Sequence, residues 1–195
     1  NIRPRPHAII ITHAHPDHSF GLAEGAPCPV YATGESWESL EDYPIEKKKT
    51  VKARKSFKIG GISCEAFQVV HSLRAPAVGY RITAGKVTVF YVPDVVYIPE
   101  REKALENAKL YIGDGATLKR SFVRKNNGKL FGHTPVQTQL TWCQKENVPQ
   151  AVITHLGSQI VKGDERKIGA ELRRMADERG IEARLAYDGL EIALR

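Results

Sequence analysis

The 195-residue chain has three cysteines, one methionine and two tryptophans, and aromatic residues make up only 8% of it. Cys28, Cys64 and Cys143 are widely spaced and form no CxxC pair, which excludes a disulfide-stapled scaffold and argues against a structural zinc site. They read as reduced, mostly buried thiols of a cytoplasmic protein. No apolar run approaches the ~20 residues that span a bilayer, so no membrane partner is expected. No charged segment followed by an apolar one opens the chain as a secretory leader would. Aromatics are sparse in the basic stretches, which weighs against a base-stacking platform for nucleic acid. Internal repeats and low-complexity segments are also missing.

What is present is ordinary globular material: 42% apolar and 26% charged residues, enough for one domain over 1–195 with a real core. The net charge of +7 permits a polyanionic partner without requiring one. Basic residues concentrate at Lys47, Lys48, Lys49, Lys52, Arg54, Lys55 and Lys58, and again at Lys119, Arg120, Arg124, Lys125 and Lys129. Each group reads either as a solvated loop or as a phosphate-binding surface. The first residue is Asn1, and a buried strand follows within a few positions, so the domain is expected to be N-terminally incomplete.

Patterning places strands at 8–12, 62–70, 78–83, 87–92, 110–112, 129–131 and 151–154, with a hairpin at Gly85. Helices are expected over 34–42, 99–108 and 135–146, and from an Asp164 cap to just before Gly180, with Ile168, Leu172, Met175 and Ala176 on one face. Asp188-Gly189 predicts a closing hairpin between 183–187 and 190–194. The mixture is an α/β class with helix-covered sheets.

Six of the seven histidines follow an apolar strand-like run directly or within a few residues. His13, His15 and His18 follow AIIIT, His71 follows FQVV, His133 follows KLFG and His155 follows AVIT; Asp94 and Asp114 stand at equivalent positions. Side chains from distant segments meet when each sits where its strand leaves the same sheet edge, and rigid strands then fix the geometry a metal site demands. His13-Ala14-His15-Pro16-Asp17-His18 carries four ligating side chains in six residues, too many for one strand face, so it must be a tight loop. Neutral imidazoles and carboxylates suit zinc, manganese or iron.

His13-x-His15-x-Asp17-His18 followed by Gly21-Leu22, then His71 in VVHS, Asp94 in YVPDV and His155 in VITHLG, resembles the ordered motifs of the metallo-β-lactamase fold family. The resemblance covers nearly the whole chain. It implies an αββα sandwich with the site at one edge of the paired sheets, and two divalent metal ions, zinc or manganese. His13, His15 and His71 would hold one ion, Asp17, His18 and His155 the other, with Asp94 bridging. The family opens with strands ahead of the HxHxDH strand, and this chain has almost none.

Two metals roughly 3.5–4 Å apart can share a water, lower its pKa and clamp an anionic oxygen, which accounts for hydrolysis but not for the choice of substrate. Gly132-His133-Thr134-Pro135 at a helix start is similar to the histidine motif of the phosphodiesterase branch, which includes the tRNA 3′-processing endonucleases and the phosphoribosyl cyclic phosphate phosphodiesterases. That likeness implies His133 as the acid that protonates the leaving alkoxide, with Asp17 as a further catalytic group. Asp114-Gly115-Ala116-Thr117 matches the tRNA-processing enzymes loosely, since they carry a glutamate where this chain has Gly115. Asp114 is read as ending a strand in a turn, the alternative being that it takes over from that glutamate and orients His133. Arg74 is a candidate for substrate phosphate.

The expected function is therefore a dinuclear hydrolase of a small phosphodiester, a cyclic phosphate or a nucleic-acid end. The alternatives are a single-strand nuclease, an ester, thioester or lactone hydrolase on the same metals, and a non-catalytic subunit completed by a partner. A homodimer is compatible with all of these.

Overall fold

The computed structural model describes residues 6–194. The chain first makes β1 (Ile9–Ile10), β2 (Val30–Thr33) and β3 (Lys48–Val51), a parallel sheet in that order. It then makes β4 (Ser56–Ile59), β5 (Ile62–Val69), β6 (Ala77–Ala84), β7 (Val87–Tyr91) and β8 (Leu110–Asp114), a separate hairpin of β9 (Arg124–Asn126) and β10 (Lys129–Phe131), and finally β11 (Gln150–Thr154) and β12 (Glu182–Leu185). Apart from the hairpin, these later strands form one seven-stranded sheet in the order β12-β11-β8-β7-β6-β5-β4. The β4–β7 part is an antiparallel meander, while β7, β8, β11 and β12 run parallel.

Six α-helices and a short 3-10 turn at Phe20–Leu22 accompany them among the described residues: α1 (Pro16–Ser19), α2 (Gly34–Ser39), α3 (Arg101–Leu105), α4 (Val136–Lys145), α5 (Ser158–Val161) and α6 (Glu165–Asp177). Asp164 caps α6, its Oδ1 accepting from the backbone N–H groups of Arg166 and Lys167 at 3.0 and 3.1 Å. None of these helices is long and apolar enough to cross a membrane.

Strand alternation sorts side chains into three layers of contact. On β2, Val30 and Ala32 face one way, into a cluster with Ile11, Leu22, Ile45 and Trp37 of α2. Tyr31 faces the other way and meets Val51, Phe57, Ala66, Val78, Tyr80 and Ile82 between the two sheets. The far face of the large sheet carries Phe67, Phe90, Tyr111 and Ile153, and packs against Leu105, Leu140, Cys143, Leu172 and Met175 of α3, α4 and α6. Helix, sheet, sheet, helix: the expected αββα sandwich is the observed one.

Three expectations differ from the structure. Strand 8–12 is paired only at Ile9–Ile10, because the chain must leave the sheet to form the histidine loop. Lys48 and Lys49 of the first basic cluster belong to β3, an exposed edge strand, where lysines blunt edge-to-edge pairing. The closing hairpin does not form: the Leu190 N–H bonds to the Tyr187 carbonyl at 3.0 Å, so the turn is there, but no strand follows it through 194. Turn chemistry is local, whereas a strand also needs partners in register.

Candidate metal centre

Both sheets pin the segment that delivers His13. The Ile11 N–H bonds to the Tyr31 carbonyl at 2.9 Å, while from the large sheet Tyr80 Oη donates to the Ile11 carbonyl and the Val78 N–H to that of Thr12, each at 3.0 Å. Pro16 then opens α1 with its fixed φ. In this single turn the N–H groups of His18 and Ser19 return to the His15 carbonyl at 3.0 and 3.1 Å. The loop thereby folds back, placing the His13 and His18 rings 4.3 Å apart, centre to centre.

The other candidates arrive from strand ends: His71 just after β5, Asp94 after β7 and His155 after β11. All seven candidate ligands gather in one place. His13, His15 and His71 bring one nitrogen each within a 4.8 Å span, as do Asp17, His18 and His155 with their ligand atoms. Asp94 lies between the two sets. Its Oδ2 is 2.7 Å from His18 Nε2 and 3.9 Å from His13 Nε2, while its Oδ1 is 3.4 Å from His155 Nδ1 and 3.9 Å from His71 Nε2. The rings are oriented from behind. Thr12 Oγ1 lies 3.1 Å from His13 Nδ1, Ser72 Oγ 3.1 Å from His15 Nε2, and the Gly132 carbonyl 3.0 Å from His71 Nδ1. His155 itself has φ +50°, a left-handed backbone that costs a β-bearing residue of order 1–3 kcal/mol and persists where the surroundings impose it.

Three buried polar atoms of this cluster, His18 Nε2, Asp94 Oδ2 and His155 Nδ1, have no hydrogen-bond partner among the described residues. His18 Nε2 and Asp94 Oδ2 are only 2.7 Å apart, a close charged contact rather than a hydrogen bond of good geometry. The three atoms lie together around the one carboxylate, with His18 Nε2 2.7 Å and His155 Nδ1 3.4 Å from Asp94 oxygens. Buried polar atoms left unpaired are costly, and a divalent cation would satisfy all three.

The charges follow the same logic. Burial, reinforced by the neighbouring His18, lowers the pKa of His13 to about 3, so it is a neutral donor at physiological pH. Burial also lowers that of His71. For Asp94 burial works in the opposite direction but is overridden by His18, His155 and His71, and its carboxyl stays ionised well below the usual range. Asp17, more exposed, is likewise held down by its bond to His155 against the pull of burial. In His18, burial is outweighed by Asp94, and the pKa rises.

Beside this cluster stands a second one. His133 Nδ1 donates to Asp114 Oδ2 at 2.8 Å. Asp114 ends its strand in a turn, its Oδ1 accepting the Ala116 N–H at 2.8 Å, and the contact expected under the alternative reading is present beside it, since the same carboxylate also takes the His133 Nδ1–H. Asp114 Oδ2 takes the Val95 N–H as well, at 3.0 Å, tying the segment that carries Asp94 to the pair. Against burial, Asp114 and then Asp94 raise the pKa of His133.

Gln139, which the sequence reading missed, sits fully buried beneath. Its Oε1 accepts from the Asp114 N–H and Tyr111 Oη, both at 2.9 Å, and its Nε2 donates to the carbonyls of Asp114 (2.6 Å) and Thr134 (3.2 Å). A signal was there: Val136, Gln139, Leu140 and Cys143 share one helical face, so Gln139 interrupts an apolar stripe. Ser72 was missed too, and a serine directly after His71 carries no such signal. Arg74 lies exposed on the loop after His71, and among the described residues no ion pair engages its guanidinium.

An αββα sandwich with these imidazoles and carboxylates at one sheet edge is the architecture of a metal-dependent hydrolase. Residues 2–156 match the Beta-lactamase superfamily domain, and the chain belongs to that family. Comparison with curated proteins gives no match. Among solved structures, the metallo-beta-lactamase fold protein YhfI from Bacillus subtilis is similar, with a TM-score of 0.72 at 18% identity over 94% of this chain and 76% of that one. A diphosphatase from the PhnP family gives 0.65 at 18% identity over 97% and 72%. An isothiocyanate hydrolase from Delia radicum gut bacteria gives 0.69 at 17% identity over 96% and 76%.

Proposed function

We propose that this chain is a phosphodiesterase that works with two divalent metal ions and uses His133 as its proton donor. The observation that carries the reading is the 2.8 Å contact of His133 Nδ1 with Asp114 Oδ2 beside the metal-ligand cluster. The similarity to a PhnP-family diphosphatase supports a phosphate substrate, while the similarity to an isothiocyanate hydrolase is a reminder that the fold alone does not select one.

His13, His15 and His71 would hold one ion and Asp17, His18 and His155 the other, with Asp94 shared; nitrogen and oxygen donors suit zinc or manganese. Bound there, the ions would supply Lewis-acid stabilisation and make a water more acidic. His133 could itself be counted as a ligand, since it lies near His71 and Asp94. The hydrogen bonding argues otherwise, because the unpaired buried atoms belong to His18, Asp94 and His155, whereas the Nδ1 of His133 is already engaged.

With Nδ1–H committed to Asp114, the proton that His133 can release is the one on Nε2. Its raised pKa keeps that proton in place to higher pH than an ordinary imidazole would. An alkoxide is a poor leaving group, so protonating it removes a barrier that a phenolate or thiolate does not present. Asp17, at the mouth of the site beside His155, would take the proton that the attacking water gives up.

Replacing His133 with alanine tests this. Metal content should be unchanged, and turnover of alkyl phosphodiesters should fall by about 10²–10⁴-fold, with much less loss on p-nitrophenyl diesters. An ester, thioester or lactone hydrolase would instead keep its activity without His133. Undiminished turnover of alkyl diesters by the variant would remove the acid role.

A further inference from the structure

A cavity of about 540 Å³ opens beside His133 and His155, with Asp17 at its rim and Ala116, Phe122 and Leu156 among its walls. Its size falls within the range of small-molecule sites. The walls are not loose. The Phe122 N–H donates to the His133 carbonyl at 3.1 Å, and the Ala116 N–H to Asp114 Oδ1 at 2.8 Å, so both move with the His133–Asp114 pair. Gly132 has φ +106°, and a Cβ there would come within 2.2 Å of the Phe122 carbonyl oxygen; only glycine lets these two segments approach so closely. Arg120, which does not line the cavity, lies over the Phe122 ring at 5.7 Å from its centre.

We infer that this cavity is the leaving-group subsite, and that it takes an uncharged, ring-bearing alcohol of nucleoside size whose flat face lies against Phe122. The inference rests on the phosphodiesterase reading. A proton donor must touch the oxygen that departs, so the space His133 faces is where the departing alcohol sits. The oxygen of water forms a new bond to phosphorus, and the bond from phosphorus to the alcohol oxygen breaks with its electron pair staying on that oxygen. His133 supplies the proton that makes it a neutral alcohol, and the proton lost by water passes to Asp17. Ala116, Phe122 and Leu156 form an apolar, aromatic side that favours a ring, Ser158 and Gln159 offer polar groups to its substituents, and the Asp17 carboxylate at the rim disfavours an anionic leaving group.

The test uses the metal-loaded protein and the methyl ester of a nucleoside 5′-phosphate, which can break on either side. The inference expects nucleoside and methyl phosphate as products. Nucleoside monophosphate and methanol would put the ring on the other side of phosphorus and overturn it. If the wild type cleaves no diester at all, the parent reading fails instead, and the two failures are distinct. Independently of turnover, nucleoside alone, titrated into metal-free protein and followed by NMR, should perturb the Phe122 ring. Phe122→Ala should weaken that binding about tenfold, the loss expected for one base–aromatic stack. Phe122→Leu, which keeps an apolar side chain and guards against misfolding, should weaken it as well; unchanged binding in a folded Phe122→Leu protein would also overturn the inference.

Discussion

Around Asp94, three buried polar atoms lack a partner among the described residues, while around Asp114 each carboxylate oxygen and both backbone polar groups are hydrogen-bonded. Asp94 follows β7 and Asp114 ends the neighbouring β8, and the two are joined through the Val95 N–H, yet one cluster is open and the other closed. The difference separates two tasks. Unpaired buried polar atoms grouped around one carboxylate define a place for a cation. A fully paired network cannot accept another ligand without giving up a bond, but it can hold one imidazole in one orientation and one tautomer.

The largest expected effect comes from removing the open cluster's shared carboxylate. Asp94→Ala should lose metal, measured by elemental analysis, and should lose turnover by about 10³-fold or more, since Lewis-acid stabilisation is worth several kcal/mol. The metal-free variant should nevertheless fold, because deleting Asp94 also deletes one of the unpaired buried atoms. If Asp94→Ala retained full metal content, the open cluster would not be the metal centre.

How much of this contrast could be read from the sequence depends on density of signal. The open cluster is built from residue types that ligate metals, placed just after apolar runs, and its six-residue core from His13 to His18 stands out without any structure. Strands β5, β6 and β7 were legible for a similar reason, each being long and alternating or apolar. β3 and β9 were not, because Lys-Lys-Thr-Val and Arg-Lys-Asn are exposed edge pieces with no apolar face to betray them. The closed cluster was half legible. His133 followed a strand-like run, but Asp114 came up as its partner only as an alternative drawn from the resemblance, because β8 and the His133 segment meet in space through contacts that no local pattern encodes. Gln139 reads as a solvated residue unless its apolar helical neighbours are set beside it.

The second prediction breaks the closed cluster from below. Gln139→Leu keeps volume and removes four hydrogen bonds, leaving the Asp114 backbone groups, the Thr134 carbonyl and Tyr111 Oη to find other partners. Each buried group left unpaired costs about 1–3 kcal/mol. A chain of this size loses roughly 2–4 °C in Tm per kcal/mol, so the melting temperature should drop clearly. Metal content should hold, and turnover of alkyl diesters should fall about tenfold or more through misplacement of His133. Equal losses on alkyl and p-nitrophenyl diesters would show that Gln139 supports the fold generally rather than the orientation of the acid.

The smallest effect sharpens the comparison through pH in the metal-free protein. In the open cluster His13 titrates near 3 when folded against an ordinary 6.5, because burial and the adjacent His18 disfavour its charged form. The unfolded chain therefore binds the proton more readily than the native one. The stability His13 contributes is fully present above pH 6.5 and is lost progressively as pH falls from there toward 3. His71 is shifted the same way, and Asp94 and Asp17, both held below the usual carboxylate range, add to the loss at lower pH. In the closed cluster His133 is shifted upward, as is His18 alone among the open cluster's shifted histidines, so these contributions run in the opposite sense, present below 6.5 and lost as pH rises through the raised values. Thermal melts of metal-free protein should thus show Tm falling below pH 6.5. His13→Gln, which cannot take up the proton, should flatten that fall, whereas His133→Gln should leave it in place and alter only the alkaline side. Metal should steepen the acid-side dependence in the wild type, because protons compete for the same imidazoles. An acid-side slope identical in wild type and His13→Gln would mean that the open cluster is not where the native state resists protonation.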